Sequence, residues 1–179
     1  MHQDIKKILV TQEAIEQKCI ELGAIISHDY QDKDLVVIGL LKGCIPFISD
    51  LVKHISIPLR LDYMSVSSYH GGTASTGNVR VNKDLDASVT GCDVLIAEDI
   101  VDTGKTLKKV MEMLSVKGAN SIKVVTLLDK PEGRVVDLIP DYTGFIIPKE
   151  FVVGYGLDYD EYYRNLPYLG VLKEEVYTK

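Results

Sequence analysis

No tryptophan occurs in the 179 residues, and cysteine (three), phenylalanine (three) and histidine (four) are scarce. The cysteines Cys19, Cys44 and Cys92 are odd in number and far apart, and they form no C-x-x-C. That excludes a disulfide framework and a zinc knuckle, and predicts reduced thiols in a cytoplasmic protein. His2, His28, His54 and His70 show no metal-ligand spacing. Long apolar runs are also missing. The longest covers the seven residues Leu35 to Leu41, whereas a membrane span needs about 20. Met1 to Lys7 has neither the apolar core nor the small-residue cleavage site of a secretory signal. Basic excess is absent too: 20 Lys and Arg stand against 26 Asp and Glu, a net charge of −6. Non-specific nucleic-acid or anionic-membrane binding needs a basic face, so neither partner is expected. Anionic small ligands remain open, because a backbone nest can hold a phosphate on an acidic protein.

What is present suits one globular domain. Hydrophobic residues make up 46%, and a chain of this length buries enough surface to fold without a metal or disulfide staple. Ile15, Cys19, Leu22 and Ile26 form one apolar stripe, predicting a helix over 12–28 with Thr11 as N-cap. Residues 34–41 read as a strand covered on both faces. Pro46 opens a helix running to about His54, and 58–69 reads as a longer strand. Residues 70–92, with Gly71, Gly72, Gly77 and Gly91, interrupt the rhythm as a lid or a disordered loop. A strand over 93–98, a helix over 104–117 closed by Gly118, and a strand over 121–128 follow. Only short pieces come later, at 144–147, 151–153 and 170–176. The alternation argues an open, mostly parallel α/β sheet flanked by helices.

The sharpest feature is the strand Val94–Ala97 running through Glu98-Asp99-Ile100-Val101-Asp102-Thr103-Gly104-Lys105-Thr106 into a helix. Ligands of open α/β sheets bind outside the carboxyl ends of the strands, and a helix N-terminus suits an anion. Gly104 permits close backbone approach, and the Thr103 and Thr106 hydroxyls can donate to phosphate oxygens. Gly104-Lys105-Thr106 invites a triphosphatase reading, but Asp99 stands where that motif requires glycine. Glu98, Asp99 and Asp102 would repel a triphosphate, whereas ionised carboxylates accept from the vicinal hydroxyls of a ribose. Diol acceptors beside a phosphate nest describe a ribose 5-phosphate. The plainer alternative is that Glu98 and Asp99 cap a strand and Asp102 caps the helix.

The segment Val94 to Thr106 resembles the phosphoribosyl-pyrophosphate motif of type I phosphoribosyltransferases. Nearly the whole chain is similar to the bacterial hypoxanthine-guanine members. The supporting segments are Leu40-Leu41-Lys42-Gly43, Ser68-Tyr69, Leu127-Leu128-Asp129-Lys130, and Phe151 to Asp158. Cys44 stands where some members have Gly or Ser. The resemblance implies one domain over 1–179, with a small hood from the N-terminal segment and about 130–179. It also implies a flexible lid over about 68–92, with Ser68 and Tyr69 at its moving edge. It implies Mg²⁺-dependent transfer of the phosphoribosyl group to hypoxanthine and guanine, in a homodimer or homotetramer.

By the same resemblance, Glu98 and Asp99 would hold the ribose hydroxyls, and Asp102, Thr103, Gly104, Lys105 and Thr106 the 5′-phosphate. Lys105 lies at a position the family varies. Asp158 is the carried-over metal ligand, next to the purine, with Glu98 and Asp99 as further candidates; Mg²⁺ takes one or two carboxylates plus substrate oxygens. Asp102 would also be the general base, which calls for burial or a neighbouring carboxylate to lift its pKa. Lys130 would donate to the purine 6-oxo group, having donors and no acceptor. Its alternative is a solvated loop lysine. Phe151 would stack on the base and Val152 read its edge, or the run is simply a buried strand. Leu41, Lys42 and Gly43 would form the pyrophosphate loop, with a peptide that can be cis. Arg164 would contact pyrophosphate, or merely pair with Asp160 or Glu161. Two other functions stay in view. One is a phosphoribosyl-pyrophosphate-sensing regulator, disfavoured by the acidity; the other is a transferase for xanthine or a pyrimidine.

Overall fold

The computed structural model describes residues 1–68 and 79–178. Its main sheet has six strands in the order β4-β3-β2-β5-β6-β7. These are β2 (Leu35–Leu40), β3 (Leu59–Ser68), β4 (Val79–Lys83), β5 (Asp93–Val101), β6 (Ser121–Asp129) and β7 (Tyr142–Ile146). All pairings are parallel except β3 with β4. Strand order reverses between β2 and β5, and the crevice at such a switch point is where α/β sheets bind ligands.

Three helices cover the sheet. In α1 (Gln12–Asp29) the predicted stripe Ile15, Cys19, Leu22 and Ile26 is buried, and the Thr11 side chain accepts from the Ala14 amide at 3.2 Å. α2 (Ile45–Leu51) carries Pro46 in its first turn and runs into a 3-10 turn ending at His54. α3 (Lys105–Val116) is followed by Gly118 at φ +85°. Strand alternation sorts the core into two layers. Val37, Leu95, Ala97, Val125 and Leu127 pack toward α1 and α2, and Val36, Ile38, Val94, Ile96 and Val124 toward α3. With both faces covered, the central strands have no polar side, which is why they read as continuous apolar runs.

A second sheet, β1-β9-β8, joins β1 (Ile5–Val10) to β9 (Leu169–Leu172) and β8 (Val152–Val153), all antiparallel. Ile5, Val153 and Leu172 form its small core, with Tyr159, Tyr163, Tyr168 and Tyr177 packed against it.

Four expectations need correction. β5 continues past the expected end at Glu98 to Val101, so Asp99, Ile100 and Val101 lie on the strand rather than in the turn beyond it. The expected lid contains β4, paired antiparallel with β3, and beyond it Val89 and Cys92 are buried while most of 84–91 is exposed, so 79–83 is sheet edge rather than lid. Tyr69 and the rest of 69–78 lie outside the described residues, while Ser68 ends β3. Of the stretch 130–179 expected in the hood, Tyr142–Ile146 belongs to the main sheet. The tail 170–176 is β9 followed by a helical turn, α4 (Glu174–Tyr177). Among the described residues no helix is long and apolar enough to cross a membrane.

Candidate active site

A cleft of about 390 Å³ opens at the switch point between β2 and β5. The loop after β2 supplies Leu41, Lys42 and Gly43, and the Leu41–Lys42 peptide is cis. The end of β5 and the turn beyond it supply Glu98, Asp99, Asp102, Thr103, Gly104 and Thr106. Asp158 and Arg164 close one side from the C-terminal segment, and Ile100, which has no role in the sequence reading, lines the cleft as well.

The turn into α3 is built for an anion. Gly104 is the helix cap at φ +76°, and no side chain caps the helix strongly; the Thr103 hydroxyl reaches only the Lys105 amide, at 3.5 Å. First-turn N–H groups are therefore left to a ligand. Glycine is required here twice over. The left-handed φ disfavours other residues, and a Cβ would sit 2.8 Å from Val136 Cγ2 and 2.9 Å from Arg134 Cδ. The Lys105 side chain is exposed and does not line the cleft.

The carboxylates differ sharply. Glu98 is buried, and its Oε1 has no partner among the described residues. Burial first, and the neighbouring Asp99 charge second, push its pKa well above the usual carboxylate range. Burial likewise raises Asp99 to about 6, although the Ile100 amide donates to it at 2.8 Å. Gly43 leaves room for that carboxylate: a Cβ there would fall 1.8 Å from Asp99 Oδ2. Asp102 is more open, so the burial expected at a general base falls instead on Glu98, with Asp99 half-buried beside it. A raised carboxyl pKa means the folded state holds the extra proton. Stability therefore falls as pH rises from the unfolded value, 3.8, through about 6, and above that the ionised group costs stability. Asp99→Asn is accordingly expected to melt above the wild type at pH 8, with the difference shrinking as pH drops below 6. Thermal melts at pH 5 and pH 8 check this; a lower melting temperature at pH 8 would contradict it.

Lys130 follows β6, and its side chain is only 12% exposed, with Nζ 3.7 Å from Asp102 Oδ2. That removes the solvated-loop alternative. A Cβ on Gly133 would lie 1.8 Å from Asp102 Oδ1, so the loop after Lys130 is moulded to this carboxylate. Arg164 donates to the Gly156 carbonyl at 2.7 Å and pairs with Asp158 at 2.9 Å and Glu161 at 3.2 Å. Asp158 also accepts from the Glu161 amide at 2.9 Å. Lys42 reaches the same Glu161 at 2.7 Å across 119 positions of sequence. One glutamate thus bridges both cations expected to meet pyrophosphate. Its backbone sits at φ +67°, in a turn that also holds Asp160 and Tyr163 at positive φ.

Phe151 and Val152 do not line this cleft. Val152 is a buried strand residue, whereas the Phe151 ring is 38% exposed and outside the strand. It stacks on Tyr177 (4.8 Å between centroids, 19° between planes) and meets Tyr159 edge-on. The remaining clustered tyrosines tie elements together. Tyr155 donates to Asp50, Tyr163 donates to Asp4 at 2.8 Å, and the Tyr168 hydroxyl accepts from the His2 amide at 2.8 Å. Sequence reasoning missed Arg134, Gly133 and Tyr177, which act from loops or the chain end, where no periodic signal exists; it named Glu161 as a partner of Arg164, which the structure shows at 3.2 Å, but not as a partner of Lys42.

Residues 6–160 match the model of the phosphoribosyl transferase domain, and the chain belongs to that phosphoribosyltransferase family. Among its relatives, the hypoxanthine-guanine phosphoribosyltransferase of Lactococcus lactis is 58% identical, over 98% of this chain and 95% of that protein. The enzyme of the same name from Staphylococcus epidermidis is 55% identical over the full length of both. A crystal structure of a hypoxanthine phosphoribosyltransferase from Staphylococcus aureus superposes with a TM-score of 0.97. It is 56% identical and covers 100% of this chain and 97% of its own.

Proposed function

We propose that this chain transfers the 5-phosphoribosyl group of phosphoribosyl pyrophosphate to hypoxanthine and guanine, giving inosine and guanosine monophosphates and pyrophosphate. The observation that carries the reading is the pair of buried Glu98 and half-buried Asp99 beside an uncapped glycine turn, which offers diol acceptors and an anion nest side by side.

Glu98 and Asp99 accept from the ribose hydroxyls, and Asp102 to Thr106 cradle the 5′-phosphate. Leu41, Lys42 and Gly43 hold the pyrophosphate together with Arg164, both cations exchanging Glu161 for it. The purine imidazole nitrogen attacks the anomeric carbon as its bond to pyrophosphate oxygen breaks. The bonding pair leaves with pyrophosphate, and the imidazole proton passes to the Asp102 carboxylate. Lys130 donates to the 6-oxo group and disfavours the 6-amino group of adenine. Phe151 offers its free ring face to the base, with Tyr177 behind it, and Val152 offers backbone groups to its edge.

The orphaned Oε1 of Glu98 and the oxygen-only donor set of Glu98, Asp99 and Asp158 fit Mg²⁺. Among the described residues no cluster of three protein ligands stands ready, so the ion would share its shell with substrate oxygens. Bound there, it offsets the charge developing on the leaving pyrophosphate. Closure of the segment around Ser68 and Tyr69 would exclude water from the reacting centre. The protein is proposed to work in the cytoplasm as a homodimer or homotetramer.

Nucleotide formation from phosphoribosyl pyrophosphate and hypoxanthine or guanine, with Mg²⁺ and with chelator, tests the reading. Metal-dependent product with both bases supports it, and no product with either overturns it. For Lys130, losing a charged donor to the oxo group is worth roughly 1.5–3 kcal/mol. Lys130→Met is therefore expected to lower kcat/KM for hypoxanthine about 10- to 150-fold. A change under threefold would remove the lysine from base recognition.

A further inference from the structure

We propose that Arg134 is the positioning residue of the phosphate turn. Its guanidinium fixes the Val101 and Asp102 peptides and thereby aims the nest and the Asp102 carboxylate. This rests on the transferase reading and names a residue that reading does not use.

The β5–β6 ladder ends at the pair Val101 and Asp129. Beyond it the Asp102 carbonyl has left the sheet, and Arg134 takes over. Nε donates to the Asp102 carbonyl at 2.8 Å and Nη2 to the Val101 carbonyl at 3.2 Å. The remaining donors reach the Leu138 carbonyl and the Asp129 carboxylate. The side chain is 11% exposed, so it serves these acceptors rather than solvent. Its stem also fills the space beneath Gly104 that a Cβ would need. The surrounding loop closes on the same turn, with Lys130 N–H donating to the Val101 carbonyl at 3.0 Å and Val135 N–H to the Thr103 carbonyl at 3.1 Å.

The peptide unit is planar, and in the trans form its carbonyl and N–H point in opposite directions. Holding the Asp102 carbonyl therefore sets the direction of the Thr103 N–H, and holding the Val101 carbonyl sets that of Asp102. These amides open the stretch that would cradle the phosphate. Arginine suits the task because its rigid fork serves several acceptors at once; an ammonium is a point charge with three donors. Asp129, buried and one residue before Lys130, anchors the fork to the strand that delivers the purine-side lysine.

The test uses Arg134→Lys, which keeps a cation beside Asp129. It also uses the double variant Asp129→Asn/Arg134→Met, which leaves no charge buried and covers the case in which the lysine variant does not fold. Melting temperature, binding of inosine monophosphate, and kcat and KM for phosphoribosyl pyrophosphate are measured for each. A positioning role predicts at least tenfold weaker nucleotide binding and higher KM for the folded variants, with activity still low in the double variant whatever its melting temperature. Nucleotide binding and kcat/KM within twofold of wild type in either folded variant would overturn the inference, leaving Arg134 as a stabilising ion pair. A wild-type chain that forms no nucleotide in the same assay would overturn the transferase reading itself, and the inference with it.

Discussion

Asp102→Asn is expected to lower kcat with hypoxanthine about 10²- to 10⁴-fold, the range typical of a lost general base. The substitution is close to isosteric, so the turn into α3 keeps its shape and its backbone amides. Gly133 leaves the space at Oδ1 that either side chain needs. An amide cannot take the imidazole proton, and its NH₂ would face the Lys130 ammonium, which in the wild type lies 3.7 Å from the carboxylate. Binding of inosine monophosphate should change only a few-fold, because in the proposed reading the amides hold the phosphate and Glu98 and Asp99 hold the ribose. Pre-steady-state turnover together with nucleotide binding separates the two effects. An unchanged rate would remove the base role from Asp102. A rate loss matched by an equal loss of nucleotide affinity would make it a binding residue instead.

The second large effect is expected at a residue with no side chain. Gly156 has φ +100°, and a Cβ there would lie 2.0 Å from the Gly43 carbonyl and 3.0 Å from Pro46 Cδ. Gly43 in turn abuts Asp99. Gly156→Ala therefore combines an unfavourable backbone conformation, about 1–2 kcal/mol, with a clash against backbone that cannot rotate away. A total near 2–4 kcal/mol corresponds to a melting temperature lower by about 4–16 °C at this chain length. Because the push is transmitted through Gly43 toward Asp99, KM for phosphoribosyl pyrophosphate should rise in parallel. Gly91 provides the contrast: its φ is +76° but nothing lies within 4 Å of a Cβ. Gly91→Ala should lose only the conformational part and leave KM unchanged. Equal destabilisation of the two variants would show that the clash at Gly156 is relieved at no cost.

The elements legible in the sequence are those whose signal is local. The stripe of α1, the apolar runs of β2 and β6 and the glycine after α3 each express one physical rule within a few residues. β5 reads three residues too short because Asp99, following the acidic Glu98, looks like the start of a loop. What keeps them in a strand is pairing with β6 out to Asp129. β4 is hidden because Val79 and Val81 are a weak alternation inside a polar stretch, and the strand exists through its partner β3. β1 and β9 pair across about 160 positions of sequence, from Val10 with Leu169 to Ile5 with Leu172, so neither predicts the other.

The site divides in the same way. The turn from Glu98 to Thr106 is contiguous, and its chemistry can be read from residue types alone. Lys130, Phe151 and Arg164 were ordinary residues until a family resemblance gave them roles. The structure adds the contact of Lys130 with Asp102 and the exposed ring face of Phe151. Arg134 carries no sequence signal, and for Glu161 the spacing shows only the local pair with Arg164; the partners that matter further are ones only the fold brings near.

The most direct test of the account is the ratio of kcat/KM for hypoxanthine to that for adenine, with Mg²⁺ and saturating phosphoribosyl pyrophosphate. In the proposed reading the largely covered Lys130 donates to the 6-position and would reject an amino group, and sites built around such a hydrogen bond discriminate strongly. The account predicts a ratio above about 10², falling toward unity in Lys130→Met. Comparable values for the two bases in the wild-type protein would contradict it.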